Sequence, residues 1–463
     1  MSGRSRVKAM ALSKGLMSGV ASVVLSGFIA SSASADTIRD ALSLAYANNP
    51  TLNAARAQLR GVNENVPQAL AGWRPTASAA LAAGAVRSST NGRQAYRNNA
   101  AISLTLSQAV FRGFRTVNST RQAEAVVRAQ RESLMSSEQD TLLSAATAYV
   151  DVIRDTALVS LQRSDLAFLQ EQVRAARDRF DVGEGTRTDV SQAEARAAEA
   201  QASLNTALAN LNTSRAIYRQ VIGVDPKSLS ADTSITRQVP KSLDVALQTS
   251  EEKQPLIQQA LHLVDAAIFN VKAIEGELLP TVTVDASVGR SWNPSNTVDL
   301  NNNAQIFGNV SIPIYQGGGV YSRVRQAKEE LGQTRLQLDV ARDQVRANVI
   351  TAWGIFQAAE ASIVAARAAV EAQQLALEGV IEEQRVGQRT TLDVLDAQRE
   401  LVIQQSNLVT AQRNRIVGGY QLVAAVGHLD AQTLGLNVNV YNPEQHYKSV
   451  RGKWIGLRTP DGR

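Results

Sequence analysis

Large apolar residues recur every seven positions in one long segment of the chain. They stand at five consecutive repeats: Val349, Phe356, Ile363, Val370 and Leu377. Alanine follows the first three of them at a distance of three residues, at Ala352, Ala359 and Ala366. An apolar pair repeated every seven residues is typical of a coiled coil, and small residues opposite large ones let two helices approach closely. The pattern therefore predicts long paired helices.

A second segment extends this prediction to the first half of the chain. Residues 114–182 contain neither Gly nor Pro. A continuous helix of that length would measure on the order of 100 Å, at about 1.5 Å per residue. Such helices are too long for a compact domain.

A different pattern, with a period of two, predicts strands. In residues 281–292 five of the six residues of one face are apolar: Val282, Val284, Ala286, Val288 and Trp292. Similar alternation occurs at Ile306, Val310, Ile312 and Ile314, and in the first half of the chain at Ile102, Leu104 and Leu106. Residues 76–86, which are rich in Ala, are expected to form the fourth strand.

An alternating strand of about ten residues can cross a bilayer within a closed barrel. A soluble hairpin packed on a helix is the alternative for these strands alone. Four strands cannot close a membrane barrel, because the smallest natural barrels have about eight. Closure would require several chains, and a cyclic assembly supplies them simply.

The chain also repeats itself. Three residues recur 204 positions later: Gly183, Asp189 and Gly223 as Gly387, Asp393 and Gly427. The prolines of WRPT and LLPT, Pro75 and Pro280, are 205 positions apart. An offset held over so many residues indicates a tandem duplication. Each copy is expected to contain a helical pattern ended by Pro (38–71 and 243–277), two strands and a long helical hairpin.

These observations predict the organisation of the chain. Residues 1–35 have basic residues, an apolar run and Ala33-Ser34-Ala35 in the order of a secretory signal; a buried N-terminal helix is the alternative. The first repeat is expected at 36–225, a linker at 226–242 and the second repeat at 243–428. A partly irregular C-terminal tail, 429–463, follows.

Composition excludes several classes of function. Without the four basic residues of the signal, the 48 Lys and Arg fall to 44 against 42 Asp and Glu. The net charge of the mature chain is then close to zero and does not indicate a nucleic-acid partner. The absence of Cys leaves an exported protein without disulfides. No segment after the signal has about 18 to 20 consecutive apolar residues, so any membrane crossing would use strands.

Enzymatic chemistry is not expected. The three His residues lack metal-ligand spacing. Gly317-Gly318-Gly319 precedes a helix, but the Lys-Ser/Thr of a phosphate-binding loop does not follow it. The sequence therefore predicts no catalytic residue, no cofactor and no metal.

The duplicated strand and hairpin units, the signal and the segment VGQRTTLDVLDAQ (386–398) together resemble the TolC family of outer-membrane efflux and secretion channels. The resemblance covers essentially the whole mature chain. It implies a mixed α and β membrane protein, mainly α. In this family, three chains form a twelve-stranded barrel in the outer membrane, which continues into a long periplasmic α-helical tunnel.

The resemblance also implies roles at the hairpin ends. Gly183 and Gly387 match the hairpin turns, and Asp393 and Asp396 match two aspartates that constrict the closed aperture and attract cations. Arg389 matches an arginine that links its helix pair to a neighbouring pair, and Thr188 and Asp189 match its polar partners in this latch. Gln384 stands where the best-known member has an aromatic residue, so closure would rely more on Arg389.

Two aspartates at this spacing have a physical rationale. Residues three apart share one helix face, so three chains would bring six carboxylates around one axis. Like charges so close together attract cations and repel anions. Helix capping is the alternative, with Thr390 or Thr391 as the N-cap and Asp393 in the first turn. The two roles are compatible.

The function implied by the resemblance is a passive exit duct with an iris-like periplasmic aperture. Its expected partners are two further copies of the chain in a homotrimer, a periplasmic adaptor, an inner-membrane transporter of ABC, RND or MFS type, and outer-membrane lipid, but no nucleic acid. A non-conducting periplasmic coiled-coil adaptor or scaffold is the alternative. The sequence does not choose between protein and small-molecule cargo.

Overall fold

The computed structural model describes residues 37–230, 235, 238–460 and 462. The predicted secretory signal, residues 1–35, lies outside them, and the predicted linker, residues 226–242, is described only in part.

Short helices precede each pair of strands. They are α1 (Ile38–Asn48), α2 (Pro50–Asn63) and α3 (Asn65–Leu70), and in the second half α6 (Leu243–Lys253) and α7 (Pro255–Glu275). The sequence predicted one helical segment in each place. Each segment is interrupted because Pro50 and Pro255 begin new helices, where a proline ring fits the first turn and no N–H is needed. The side chain of Asn49 caps α2 by accepting a hydrogen bond from the Thr51 N–H at 2.9 Å.

Four strands form one antiparallel sheet in the order β1-β2-β3-β4. They are β1 (Thr76–Thr90), β2 (Arg93–Arg112), β3 (Thr281–Ser295) and β4 (Val298–Ser311). Asn91 and Gly92 join β1 to β2 with positive φ angles of 54° and 78°, the conformation that a two-residue hairpin turn favours. β2 and β3, from different halves of the chain, pair with each other.

The sequence predicted all four strands, three of them from alternation and the fourth as an Ala-rich segment, but not all their ends. Ile312 and Ile314, predicted within the last strand, follow its end at Ser311. Pro313 stands between them, and a proline cannot donate to a strand ladder. Within the described residues β1 and β4 each have one neighbouring strand, so the sheet is open at both edges.

Two helical hairpins account for most of the length of the chain. The first consists of α4 (Arg115–Asp181) and α5 (Arg187–Ile222), and the second of α8 (Gly319–Arg385) and α9 (Thr391–Val426). The long helix has 67 residues and the returning helix 36 in both hairpins. At about 1.5 Å per residue the long helices measure about 100 Å, as the absence of Gly and Pro in residues 114–182 predicts.

The predicted heptad seam lies on the buried face of α8. Val349 is 0% exposed, and Ile363 and Leu377 are each 7% exposed. One window of α8 is also long and apolar enough to cross a membrane by length and composition, although only 22% of it is buried within the chain. One such helix is weak evidence of a membrane span, and the heptad spacing assigns its apolar residues to helix packing.

The largest hydrophobic cluster lies where α1, α2 and α5 pack on the middle of α4. Tyr149 and Tyr218 are its largest fully buried side chains, with ring centroids 6.4 Å apart. Residues 429–438, which follow α9, contribute Leu429 and Ala431 to the same cluster. A helix, α10 (Pro443–Arg451), then lies beside α2 and α3.

Glu138 on α4 holds the C-terminal segment in place. Its carboxylate accepts a hydrogen bond from the Ala431 N–H at 2.8 Å, and the residue is 8% exposed. Burial raises the pKa of Glu138, while the bond from Ala431 opposes the rise. The charged carboxylate is therefore more costly in the folded chain than in the unfolded one, and the stability that the group contributes below its unfolded pKa is lost as the pH rises through the folded pKa.

We expect Glu138→Gln to stabilise the protein at neutral pH, because glutamine keeps the accepting oxygen and removes the buried charge. The thermal unfolding midpoint should rise by about 1 °C at pH 7.5, because about 1 kcal/mol shifts the midpoint of a chain of 463 residues by about that much, and the difference should vanish near pH 4. The exposed Glu329→Gln variant serves as the control. A lower midpoint for Glu138→Gln at pH 7.5 would mean that the carboxylate is charged and stabilising.

Candidate functional site

The two hairpins end in turns of the same geometry. Gly183 and Gly387 have φ angles of 80° and 78°, which favour glycine. In each turn the glycine N–H donates to a carbonyl at the end of the long helix, from Gly183 to Phe180 and from Gly387 to Gln384, both at 3.0 Å. Val182 and Val386, at the preceding position, are 72% and 71% exposed. The turns therefore present a small apolar surface at the end of each hairpin.

The returning helices begin with the same cap. In the second hairpin the Asp393 carboxylate accepts hydrogen bonds from the Thr390 N–H and hydroxyl, both at 2.8 Å, and the Asp393 N–H donates to the Thr390 hydroxyl at 3.3 Å. Thr186 and Asp189 form the equivalent box in the first hairpin. These bonds hold the pKa values of both aspartates below the usual range. Asp393 thus has the capping role that the sequence offered as the alternative. Its role at the aperture stays a prediction.

Arg389 lies in the turn of the second hairpin. Its Nε donates to Glu383 at 2.8 Å, and the corresponding position of the first turn, 204 residues earlier, is Gly185. Among the described residues no ion pair joins Arg389 to Asp189, whose carboxylate is bonded to Thr186. The predicted latch from Arg389 to a neighbouring helix pair stays a prediction.

Gln384, at the position of the family's aromatic residue, bonds within its own hairpin. Its Nε2 donates to the Thr391 hydroxyl at 3.3 Å. The bond closes the base of the turn between α8 and α9. It does not connect the two hairpins.

Asp396 connects the hairpins instead. Its Oδ1 accepts a hydrogen bond at 2.8 Å from Arg196 Nη2 on α5, and Arg196 Nη1 donates to Glu199 at 3.0 Å. The side chain of Arg196 is 26% exposed and that of Asp396 54% exposed. Arg196 is not among the residues that the sequence predicts, because it and Asp396 are 200 positions apart and periodicity carries no signal for such a pair.

Two neighbours of Asp396 make further contacts with the first hairpin. Leu395, 1% exposed, packs in a cluster with Leu169, Ala193 and other residues of α4 and α5. Gln398 Nε2 donates to Asp165 on α4 at 2.8 Å. Burial raises the pKa of Asp165, and the bond from Gln398 opposes the rise.

A cavity of about 290 Å³ lies beside these contacts, between α4, α5 and α9. Its lining is mixed, with Arg196, Gln398 and Arg399 among the polar residues and Leu395 and Val402 among the apolar ones. A cavity of this size and polarity admits water, so solvent reaches the Arg196–Asp396 pair.

The sequence matches the outer membrane efflux protein family over residues 41–224 and 246–428. The outer membrane efflux protein BepC of Brucella suis is 45% identical over 448 residues, which cover 96% of this chain and 97% of BepC. The outer membrane protein TolC of Escherichia coli is 28% identical over 433 residues, covering 89% of this chain and 86% of TolC.

The same likeness holds in three dimensions. The crystal structure of the CmeC outer membrane channel of Campylobacter jejuni superposes with a TM-score of 0.77 at 15% identity, over 90% of this chain and 89% of CmeC. The match includes most of the chain, and at this identity it describes the fold.

Proposed function

The chain belongs to the outer membrane efflux protein family, and we propose that its helical tips form the gated periplasmic aperture of a passive efflux duct. Family members are channel proteins of the outer membrane. The non-conducting scaffold is thereby excluded. We also infer that the chain has no enzymatic activity, since it serves as a conduit.

The open sheet requires neighbouring chains. Each chain supplies four strands with free edges at β1 and β4, and three chains form the twelve-stranded barrel of the homotrimer. Apolar side chains of the sheet that are exposed in one chain, among them Leu81 at 81% and Ile306 at 71%, then contact outer-membrane lipid. Closure leaves no strand edge unpaired in the bilayer, where unpaired backbone groups are costly.

A second apolar stripe on α8 supports packing between chains. Leu336, Ile350 and Val364 share one heptad position, and Val340 and Leu375 share the position four residues further on. All five are between 47% and 71% exposed. Small residues occupy the intervening sites of that second position: Ala347, Gly354, Ala361 and Ala368. This stripe lies on the side of α8 that faces away from α9. It can pack against a helix of a neighbouring chain in the way that the buried heptad seam packs within one chain.

The hairpin tips would then converge around one axis. Asp393 and Asp396 of three chains would form an acidic ring that attracts cations, and Arg389 would reach Thr188 and Asp189 of a neighbouring hairpin to hold the ring closed. A periplasmic adaptor and an inner-membrane transporter complete the export system, and docking at the tips would break the latch. The transporter supplies the energy, so conduction through this chain is passive.

The similarity to BepC favours efflux as the purpose of the duct. BepC, at 45% identity, is named an efflux protein. The cargo would be selected by the inner-membrane transporter, since the tips and tunnel make a common path. Small molecules expelled by an efflux pump are therefore the proposed cargo class.

Reconstitution tests the proposed function. We expect the purified mature protein to be a trimer in detergent and to give small single-channel conductances in planar bilayers, because the tips are closed without partners. Divalent cations added on the side of the tips should block the current, whereas addition on the barrel side should have less effect. A water-soluble species without conductance would contradict the proposal.

A further inference from the structure

Three residues near the start of α9, close to the hairpin tip, contact the first hairpin. Leu395 packs between α4 and α5, Asp396 forms an ion pair with Arg196, and Gln398 bonds to the buried Asp165. We call these five residues the clasp. An apolar contact, an ion pair and a buried hydrogen bond thus converge on less than one turn of α9 from two helices of the other hairpin.

The residues of the clasp are not repeated in the other copy of the duplicated unit. At the offset of 204, each of its polar residues has a different counterpart in the other copy: Arg196 corresponds to Glu400, Asp396 to Gln192, Asp165 to Ala369 and Gln398 to Glu194. Leu395 corresponds to Ser191. The capping residues and the turn glycines, in contrast, are the same in both copies. The clasp is therefore a property of the second hairpin and not a general feature of the duplicated unit.

The location of the clasp allows the tip to move. Another ion pair between the hairpins, from Arg413 Nε to Asp151 at 2.8 Å, lies farther from the tip. It is 17 residues along α9 from Asp396, or about 25 Å at about 1.5 Å per residue. Release of the clasp alone would let the end of the second hairpin swing while the upper part of α9 stays attached.

We propose that Arg196 is the positioning residue that holds the second hairpin against the first in the closed channel and, in the same bond, neutralises Asp396. The proposal rests on the proposed function of the tips as an aperture. Gln384 bonds to Thr391 within its own hairpin, whereas Arg196 joins the first hairpin to the second. Its guanidinium reaches Asp396 on the second hairpin and Glu199 on its own helix at once.

The proposal couples closure to the charge of the aperture. In the closed arrangement each Asp396 carboxylate pairs with Arg196 of its own chain, which also contacts Glu199, so the effective negative charge of the ring is smaller than six. When the clasp opens, three carboxylates lose their partners and face the channel axis. Opening therefore makes the aperture both wider and more attractive to cations.

The test compares Arg196→Gln with Arg177→Gln in reconstituted trimers. Arg177 pairs with Glu194 inside the first hairpin, with side chains 59% and 46% exposed, so its loss removes a surface ion pair without touching the clasp. Without divalent cations, Arg196→Gln should raise the mean conductance about threefold to fivefold, the scale of one partly exposed ion pair. Arg177→Gln should leave it unchanged.

A second readout separates positioning from general loosening. Arg196→Gln should lower the divalent concentration for half block about threefold, because freed carboxylates bind cations; a merely loosened hairpin would not bind them more tightly. Arg196→Lys, which keeps the charge, should stay close to the natural channel in both readouts. Weaker or unchanged block in Arg196→Gln would overturn the proposal.

The double variant Arg196→Gln/Asp396→Asn identifies the partner. It should conduct like Asp396→Asn alone, since both substitutions break one bond. Additive effects would show that Arg196 acts elsewhere and would overturn the assignment. A natural protein that conducts, with Arg196→Gln equal to Arg177→Gln, would refute the clasp but leave the aperture in place; a natural protein that does not conduct would contradict the proposed function itself.

Discussion

Asparagine in place of both Asp393 and Asp396 is expected to weaken block of the channel by divalent cations strongly. The double variant removes all six proposed carboxylates from the aperture while the fold of the tip is retained. The amide oxygen introduced by Asp393→Asn can still accept the hydrogen bonds that Thr390 gives to the natural carboxylate. A ring of like charges in a narrow passage raises the local cation concentration by about 10- to 1,000-fold. The divalent concentration for half block should therefore rise by about 100-fold.

The matched control is Glu184→Gln, which removes one exposed carboxylate per chain from the turn of the first hairpin. It should leave the block unchanged, because Glu184 is not part of the proposed ring. The measurement is single-channel current against divalent concentration for the natural protein and both variants. An unchanged block in the double variant would show that Asp393 and Asp396 serve the cap and the clasp and that cations act elsewhere.

Much of the fold was readable from periodicity. The heptads of residues 349–377 and the absence of Gly and Pro in residues 114–182 predicted the long helices, because each signal repeats over many turns. Ends were less accurate. The helix breaks at Pro50 and Pro255 follow the ordinary preference of proline for the first helical turn. These two prolines therefore mark, in the sequence, where each predicted helical segment divides. The apolar alternation continues to Ile314, beyond the end of the strand. The strand ends earlier because Pro313 has no N–H to donate, which the spacing of apolar residues does not show.

The candidate site was only partly readable. The turn glycines and the Thr390–Asp393 cap are local, since all their bonds lie within a few residues. The Arg196–Asp396 and Asp165–Gln398 pairs join residues 200 and 233 positions apart. Such pairs depend on the relative rotation of two long hairpins, which single-helix patterns do not specify. The differences between the copies at these positions were visible, but without coordinates they could not be assigned to a contact.

Two glycines approach each other closely where the sheet meets the helices. Replacing one of them is expected to have a large effect on assembly of the trimer. Gly113 follows β2, with a φ angle of 58°, and Gly276 follows α7. A Cβ on either residue would overlap the carbonyl oxygen of the other, and a Cβ on Gly276 would also lie 2.8 Å from Arg115 Cγ. Backbone occupies this space, so no rotamer change can relieve the overlap. The contact joins the two halves of the chain just below the β2–β3 pairing.

Gly276→Val is therefore expected to prevent assembly of the trimer. Separating the two backbone segments would cost about 3 kcal/mol or more, the upper range for inserted atoms in a packed site, and would shift β3 against β2 before the barrel can close. The fraction of trimer in the outer membrane, measured by gel migration without heating, should fall by about 100-fold or more, since about 1.4 kcal/mol corresponds to each factor of ten. Gly379→Ala, on α8 with no atom within 4 Å of the added Cβ, is the control and should assemble normally. A normal amount of Gly276→Val trimer would mean that this junction yields and that the sheet is aligned by its strand pairing alone.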